Sequence, residues 1–219
     1  FVVIGCVRKE GGQLYNSAAV IYDRQLLGYK DKTLLPTHDV FNEQRYFTPG
    51  REEKVFSYKQ KKIGILICED LWRKTAERDP TGELAALQPD LVLHISASPY
   101  CIGQKQKRQE VISAAISRLH CPFVFCNLVG GADQLVFDGY SAYYNAEGQP
   151  LLEAGGFCEK ELLIDTKVKQ QIICFEEPIK DLHDALVLGL KDYFGKLGLK
   201  KACLGLSGGI DSAVTACLA

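Results

Sequence analysis

The chain of 219 residues is 47% hydrophobic and 24% charged, with ten Tyr and ten Phe, enough apolar material to bury one ordinary core with some sequence left over. Its 26 basic and 27 acidic side chains leave a formal charge of −1 and no basic stripe of the kind a phosphate backbone attracts, which argues against nucleic acid as a partner. No apolar run approaches the roughly 20 residues a membrane crossing needs, and the start at Phe1 shows neither a charged leader nor a small-residue cleavage site, so a cytoplasmic protein is expected.

From Phe1 to about Asp165 short β-rich runs alternate with turns. Strands are predicted at Val2–Val7, Ala18–Tyr22, Leu26–Tyr29, Val55–Tyr58, Lys62–Ile67, Leu91–Ile95, Phe123–Asn127, Ser141–Tyr144 and Leu162–Ile164. Gly11-Gly12, Asp23-Arg24 and Glu147-Gly148 supply turns between them. Two helices interrupt the series, Thr81–Leu87 beside Pro80 and Lys105–Leu119, the latter with a stripe of Val111, Ala114, Ala115 and Arg118-Leu119. Interleaved strands and helices imply an α/β fold, most simply a layered sandwich.

Beyond Asp165 a polar stretch at Lys167–Gln171 and Glu176-Glu177-Pro178 leads to a helix at Leu182–Leu197, whose apolar residues recur every three or four positions. A strand at Ala202–Leu206 then runs into Ser207-Gly208-Gly209-Ile210-Asp211-Ser212 and a helical start at Ala213–Ala219. The expected organisation is a domain over residues 1–170, a connector over 171–200 and the start of a second domain over 201–219. With no Met, and an end inside a helix-like pattern, the sequence is expected to be a piece cut at both ends.

Nine cysteines, an odd number without a Cys-x-x-Cys, point to reduced thiols acting mostly as small buried hydrophobes. Cys68 closes the apolar run Gly64-Ile65-Leu66-Ile67 and precedes Glu69 and Asp70. Taken alone it reads as the last core residue of a strand, although strand ends in α/β folds often open into clefts. Likewise Lys32 and Glu43, eleven residues apart around Leu34-Leu35-Pro36, read alone as a solvated face. The other histidines, His94, His120 and His183, have no metal-ligand spacing and are read as packing or surface residues, and no metal is expected in this part of the chain.

Together these segments resemble the nitrilase superfamily of amide and nitrile hydrolases, whose site is a Glu, a Lys and a Cys in that chain order. The wording of Lys32-Thr33-Leu34-Leu35-Pro36, Val40 to Phe47, Ile67 to Trp72, Ser96 to Tyr100 and Asn127 to Gly139 is similar to the glutaminase domain of the glutamine-dependent NAD synthetase family. The resemblance implies an α-β-β-α sandwich in which Cys68 is the nucleophile, Lys32 the family lysine and Glu43 a glutamate that orients it. It further implies that Ser98 and Glu69 contact glutamine, that His38 stands where the family usually has Tyr, and that the general base is a glutamate upstream of the chain's start, since Glu10 does not match. A nearby ammonium favours the thiolate of a Cys whose ordinary pKa is about 8.5, and charge developing on the amide oxygen needs donors such as Lys32 and the backbone N–H after Cys68.

The second constellation follows a predicted strand and opens a helix, the context in which small residues let phosphate approach backbone N–H groups. It is not a Walker A loop, lacking Gly-Lys-Ser/Thr. It resembles the pyrophosphate loop of ATP pyrophosphatases, which implies a Rossmann-type second domain in which Ser207, Gly208, Gly209 and Ser212 contact ATP phosphates and Asp211 lies near Mg2+ or caps the turn. By resemblance the whole protein hydrolyses L-glutamine and uses the ammonia for ATP-dependent amidation of deamido-NAD to NAD, as a homo-oligomer. Another glutamine-dependent amidotransferase, a free-standing carbon-nitrogen hydrolase, or a piece that is itself inactive are the alternatives.

Overall fold

A computed structural model describes residues 1–38, 40–72, 77–165 and 178–219. The polar stretch at Lys167–Gln171, the Glu176-Glu177 pair and the boundary between residues 170 and 171 lie outside the described residues.

The chain opens with β1 (Val2–Glu10), β2 (Gln13–Tyr22) and β3 (Gln25–Asp31), an antiparallel meander. Its turns sit at Gly11-Gly12 (φ 55° and 82°) and Asp23-Arg24 (φ 48° and 63°), the left-handed pairs that match strand twist in two-residue hairpins. Next come β4 (Val55–Tyr58) and β5 (Lys61–Ile67), then α1 (Pro80–Ala86), β6 (Leu91–Ser96), α2 (Gln104–Leu119) and β7 (Phe123–Asn127). Asp79 caps α1, accepting the Gly82 N–H at 3.2 Å, and Pro80 occupies its first turn. A small hairpin of β8 (Val129–Ala132) and β9 (Leu135–Asp138) precedes β10 (Ala142–Tyr144) and β11 (Pro150–Glu153). Two helices end the chain, α3 (Pro178–Lys196) and α4 (Ile210–Leu218).

The larger sheet runs β11-β10-β7-β6-β5-β4, parallel through β5, β6 and β7 and antiparallel outside them. One face carries α1 and α2 over a core that includes Leu66, Leu84, Val92, Ile112, Ile116 and Phe123. The other meets the meander through Ala18, Val20, Phe56, Ile65 and Ile67. Covered on both faces, β5 is apolar at every position from Ile63 to Ile67, which is why its sequence shows no alternation. Val2, Ile4, Val7 and Leu26 on β1 and β3 are exposed, so the described part of the sandwich has three layers: helices, large sheet, meander.

Several elements differ from the sequence reading. Helix α2 buries Lys105, Arg108, Ile112, Ala115, Ile116 and Leu119, whereas Ala114 and Arg118 are exposed. Burying the two cations is possible because Lys105 meets Glu153 at 3.2 Å and Arg108 donates to Asp138 at 2.8 Å. Leu162–Ile164 and Ala202–Leu206 are not strands, because neither has a neighbouring strand to complete a hydrogen-bonded ladder. The hairpin β8–β9 and strand β11 are additional; β8 is Gly-rich and four residues long, which hides the period of two.

The cysteines also depart from expectation. Of the eight free thiols described, only Cys121 is fully buried, while Cys101, Cys126, Cys158, Cys203 and Cys217 are exposed. Cys174 lies outside the described residues.

Candidate active site

Parallel register aligns the C-terminal ends of β5, β6 and β7, pairing Ile67 with Ile95 and Ser96 with Asn127. Cys68 is the first residue past β5 and starts a 3-10 turn over Cys68–Leu71. Its φ of 43° is unusual for a side chain with a Cβ and marks local backbone strain at the strand's end. Buried His94 supports that bend, its Nε2 lying 3.1 Å from the Cys68 carbonyl oxygen. Burial holds His94 down at about 4, so the ring is neutral and Nε2–H donates.

Burial pushes the Cys68 thiol above its ordinary range. Lys32 opposes it most strongly, followed by the Ser96 hydroxyl and the Ala97 backbone, whereas Glu69 adds to the upward push. A buried thiol facing an ammonium is the arrangement in which removing the proton creates an ion pair instead of a bare buried charge.

Lys32 is 1% exposed and sits just past β3. Its N–H donates to the Asn16 carbonyl at 2.7 Å and its carbonyl accepts the Gly50 N–H at 2.8 Å. That approach requires glycine: a Cβ on Gly50 would lie 2.4 Å from the Asp31 carbonyl oxygen. The Lys32 ammonium donates to Glu43 Oε1 at 2.6 Å, and Glu43 Oε2 accepts from Asn16 Nδ2 at 3.2 Å. Glu43 is presented by a 3-10 turn over Glu43–Arg45, and its own N–H returns to the Pro36 carbonyl at 3.0 Å, closing the Leu-Leu-Pro loop.

These residues open onto one cavity of about 640 Å³, whose wall includes Lys32, Glu43, Cys68, Ser96, Asn127 and Tyr140. Thus Cys68, Lys32 and Glu43 come together. Glu69 and His38 approach each other at 3.8 Å but do not form the cavity wall. Ser98 lies behind it, 4% exposed, its hydroxyl 3.5 Å from Arg108 and its N–H on Asn127 Oδ1 at 2.9 Å. Glu10 is paired with Arg8 and faces solvent. Asn16, Ser96 and Tyr140 were not singled out by sequence, and His94 was read only as a packing or surface residue; Tyr140 follows Gly139 directly after β9, and both have positive φ, 51° and 73°.

The phosphate-loop candidates lie elsewhere, at the start of α4. Ser212 Oγ lies 3.2 Å from Ser207 Oγ and donates to the Gly209 carbonyl at 3.0 Å, and Gly208 has a φ of 83°. The loop is exposed and presents small residues at a helix N-terminus, which suits an anion. Asp211, in the first turn of α4, is the acid there, and among the described residues no group of three or more His, Cys, Asp or Glu could hold a metal ion. No described helix is long and apolar enough to cross a membrane.

A family model for carbon-nitrogen hydrolases matches residues 1–172. The chain belongs to the carbon-nitrogen hydrolase family. After the hydrolase segment, a model for NAD synthase matches residues 182–219. This carbon-nitrogen hydrolase is 37% identical over 225 residues to the glutamine-dependent NAD(+) synthetase of Acinetobacter baylyi, covering 100% of the chain and 41% of the relative. It is 39% identical to that of a Synechocystis species, covering 94% and 40%. Among solved structures, the glutamine-dependent NAD+ synthetase of Acinetobacter baumannii in complex with adenosine diphosphate superposes with a TM-score of 0.89 at 38% identity, covering 99% of the chain and 42% of its own. An amidase of the nitrilase superfamily from Nesterenkonia, at 24% identity and a TM-score of 0.60 over 70% of the chain, shares the fold. The hydrolase chain therefore spans about two-fifths of the length of the curated relatives it matches.

Proposed function

We propose that residues 1–170 form a glutaminase domain and that, through the connector over 171–200 and the phosphate loop over 201–219, the chain serves a glutamine-dependent NAD synthetase. The observation that carries the reading is the shared cavity wall of Cys68 and Lys32, with Glu43 hydrogen-bonded to the lysine. The Cys68 thiol gives up its proton and its sulfur adds to the side-chain amide carbon of L-glutamine; the C–N bond then breaks and that same proton leaves with the nitrogen as ammonia. Water then attacks the thioester carbon, releasing glutamate and restoring the thiol. Lys32 and the backbone N–H after Cys68 stabilise the oxygen that carries negative charge during both additions.

Glu43 keeps Lys32 aimed, Glu69 and His38 reach the substrate's polar end from outside the cavity wall, and Ser98 acts from behind it through Asn127. Ammonia is used in ATP-dependent amidation of deamido-NAD, with Ser207, Gly208, Gly209 and Ser212 on the phosphates and Asp211 toward Mg2+. In this reading the protein is a cytoplasmic homo-oligomer. What supports the second half is the match of residues 182–219 to NAD synthase and a loop of small residues opening α4.

A diazoketone analogue of L-glutamine tests the reading. It is expected to alkylate Cys68, identified by peptide mass spectrometry, and L-glutamine is expected to protect while L-asparagine does not. Labelling that spares Cys68, or that glutamine leaves unchanged, sinks the glutaminase proposal.

A further inference from the structure

Three ionisable side chains beside the Lys32 loop, Lys30, Glu53 and Asp70, are shut away from solvent. The Lys30 ammonium lies 3.2 Å from Glu53 Oε1 and 3.4 Å from Asp70 Oδ2, and donates to the Asp31 carbonyl at 2.5 Å and to Thr33 Oγ1 at 3.1 Å. Buried ions of this kind contribute little net stability compared with an apolar filling, so their presence calls for another account.

Asp70 is distinguished by what its two oxygens hold. Oδ1 accepts the N–H groups of Thr33 at 2.9 Å and Leu34 at 2.8 Å, the residues directly after Lys32. Oδ2 accepts the N–H of Ile67 at 3.2 Å, the residue directly before Cys68. Lys32 follows β3 and Cys68 follows β5, strands that belong to different sheets, so no strand ladder sets the separation between the two side chains. Sheets packed face to face are held by side-chain contact, which is forgiving of small slides, whereas hydrogen bonds to one carboxylate are not. Glu53 is the contrasting member of the cluster: it accepts the Thr33 hydroxyl at 2.6 Å but no backbone N–H next to Cys68 is among its bonds.

We propose that Asp70, seated on Lys30, is a positioning residue that fixes the Lys32 loop and the Cys68 bend relative to each other. The inference rests on the reading of Lys32 and Cys68 as the reacting pair.

The test is the rate of Cys68 alkylation by iodoacetamide, resolved by peptide mass spectrometry across pH on the whole chain, with exposed Cys101 as internal reference and the melting temperature recorded for every variant. Asp70→Asn is expected to slow Cys68 about tenfold at neutral pH, the equivalent of a one-unit rise in the thiol, and Glu53→Gln to change it by no more than about twofold. Loss of a nearby negative charge would by itself favour the thiolate and speed the reaction, so a slower rate reports lost positioning and not lost charge.

Lys32→Met separates the two levels of the argument. If it leaves Cys68 alkylation unchanged, the pairing of Lys32 with Cys68 is wrong. If it slows Cys68 while Asp70→Asn does not, the positioning role alone is overturned. Slowing that tracks the fall in melting temperature equally in Glu53→Gln and Asp70→Asn also overturns it. Should Asp70→Asn fail to fold, the double variant with Lys30→Met, which removes both charges together, is judged by the same outcomes, and failure of that variant to fold assigns Asp70 a purely structural role.

Discussion

Glu43 holds Lys32 at 2.6 Å through one carboxylate oxygen and Asn16 at 3.2 Å through the other, so the lysine has its aim set from a neighbouring loop and not by its own strand. A charge-assisted hydrogen bond of this kind is worth about 1.5–3 kcal/mol. If that energy is expressed in the acylation step, Glu43→Gln slows labelling of Cys68 by the glutamine diazoketone about ten- to hundredfold. Asn16→Ala, which leaves the Lys32 contact in place, slows it less. Equal losses in the two variants would mean that Glu43 acts through the fold as a whole.

Cys68, Lys32 and Glu43 read alone as a strand-end core residue and a solvated face; the resemblance of their whole segments singled them out, and the structure brings the three to one cavity wall. The strands with a full ladder, β4, β5, β6 and β7, appear within a residue of where their β-branched runs place them. Elements whose definition depends on a distant partner did not show: the Gly-rich strand β8, and the buried face of α2, rotated onto Lys105 and Arg108 by Glu153 and Asp138. Asn16 and His94 act by hydrogen bonds between segments far apart in sequence, and no local pattern signals such bonds.

Gly50 is where the backbone of the following loop touches the lysine's. With an alanine methyl 2.4 Å from the Asp31 carbonyl oxygen, backbone must shift, and the Gly50 N–H to Lys32 bond is the first to give. Gly50→Ala is expected to cost about 1–3 kcal/mol, the usual range for overpacking, seen as a lower midpoint in urea with an unchanged slope. Because the same bond frames Lys32, Cys68 labelling should slow as well. A variant as stable as the parent would show that the loop relaxes without strain.

Stability should depend on pH through two buried groups of opposite sign. Burial pushes the Glu53 carboxyl from 4.5 up to about 7, with Lys30 opposing. The folded state therefore holds that proton more tightly than the unfolded chain, a contribution fully present below about 4.5 and lost as pH rises through about 7. His94, held down from 6.5 to about 4, contributes stability that is present above 6.5 and lost as pH falls through about 4. The two slopes oppose each other in the parent protein. Glu53→Gln removes one, so its stability relative to the parent should climb by up to about 3 kcal/mol between acid and pH 8, the size of a shift of some two and a half units. Urea titrations at pH 5, 6, 7 and 8 measure the difference; a flat line would mean that Glu53 is charged throughout.

Tyr140 links the cavity wall to the helix that leads toward the phosphate loop. Its hydroxyl meets Asp181 of α3, 2.8 Å from one carboxylate oxygen and 2.9 Å from the other, and Asp181 is 4% exposed. Further along α3, Asp192 accepts the Gly131 N–H at 2.7 Å, so the helix is fastened at both ends to the segment from β8 to Tyr140. Tyr140→Phe leaves the Asp181 carboxylate buried and short of its hydroxyl donor, a loss of about 1–3 kcal/mol concentrated at the first turns of α3. Hydrogen exchange should then quicken at the amides of Asp184 to Val187 while those of Lys191 to Phe194, beyond the Asp192 bond, change little. Adding Asp181→Asn to Tyr140→Phe, which removes the buried charge left without its hydroxyl donor, should restore most of the protection. Uniform quickening along all of α3 would instead mean that the helix docks as one unit and that Tyr140 is no local fastening.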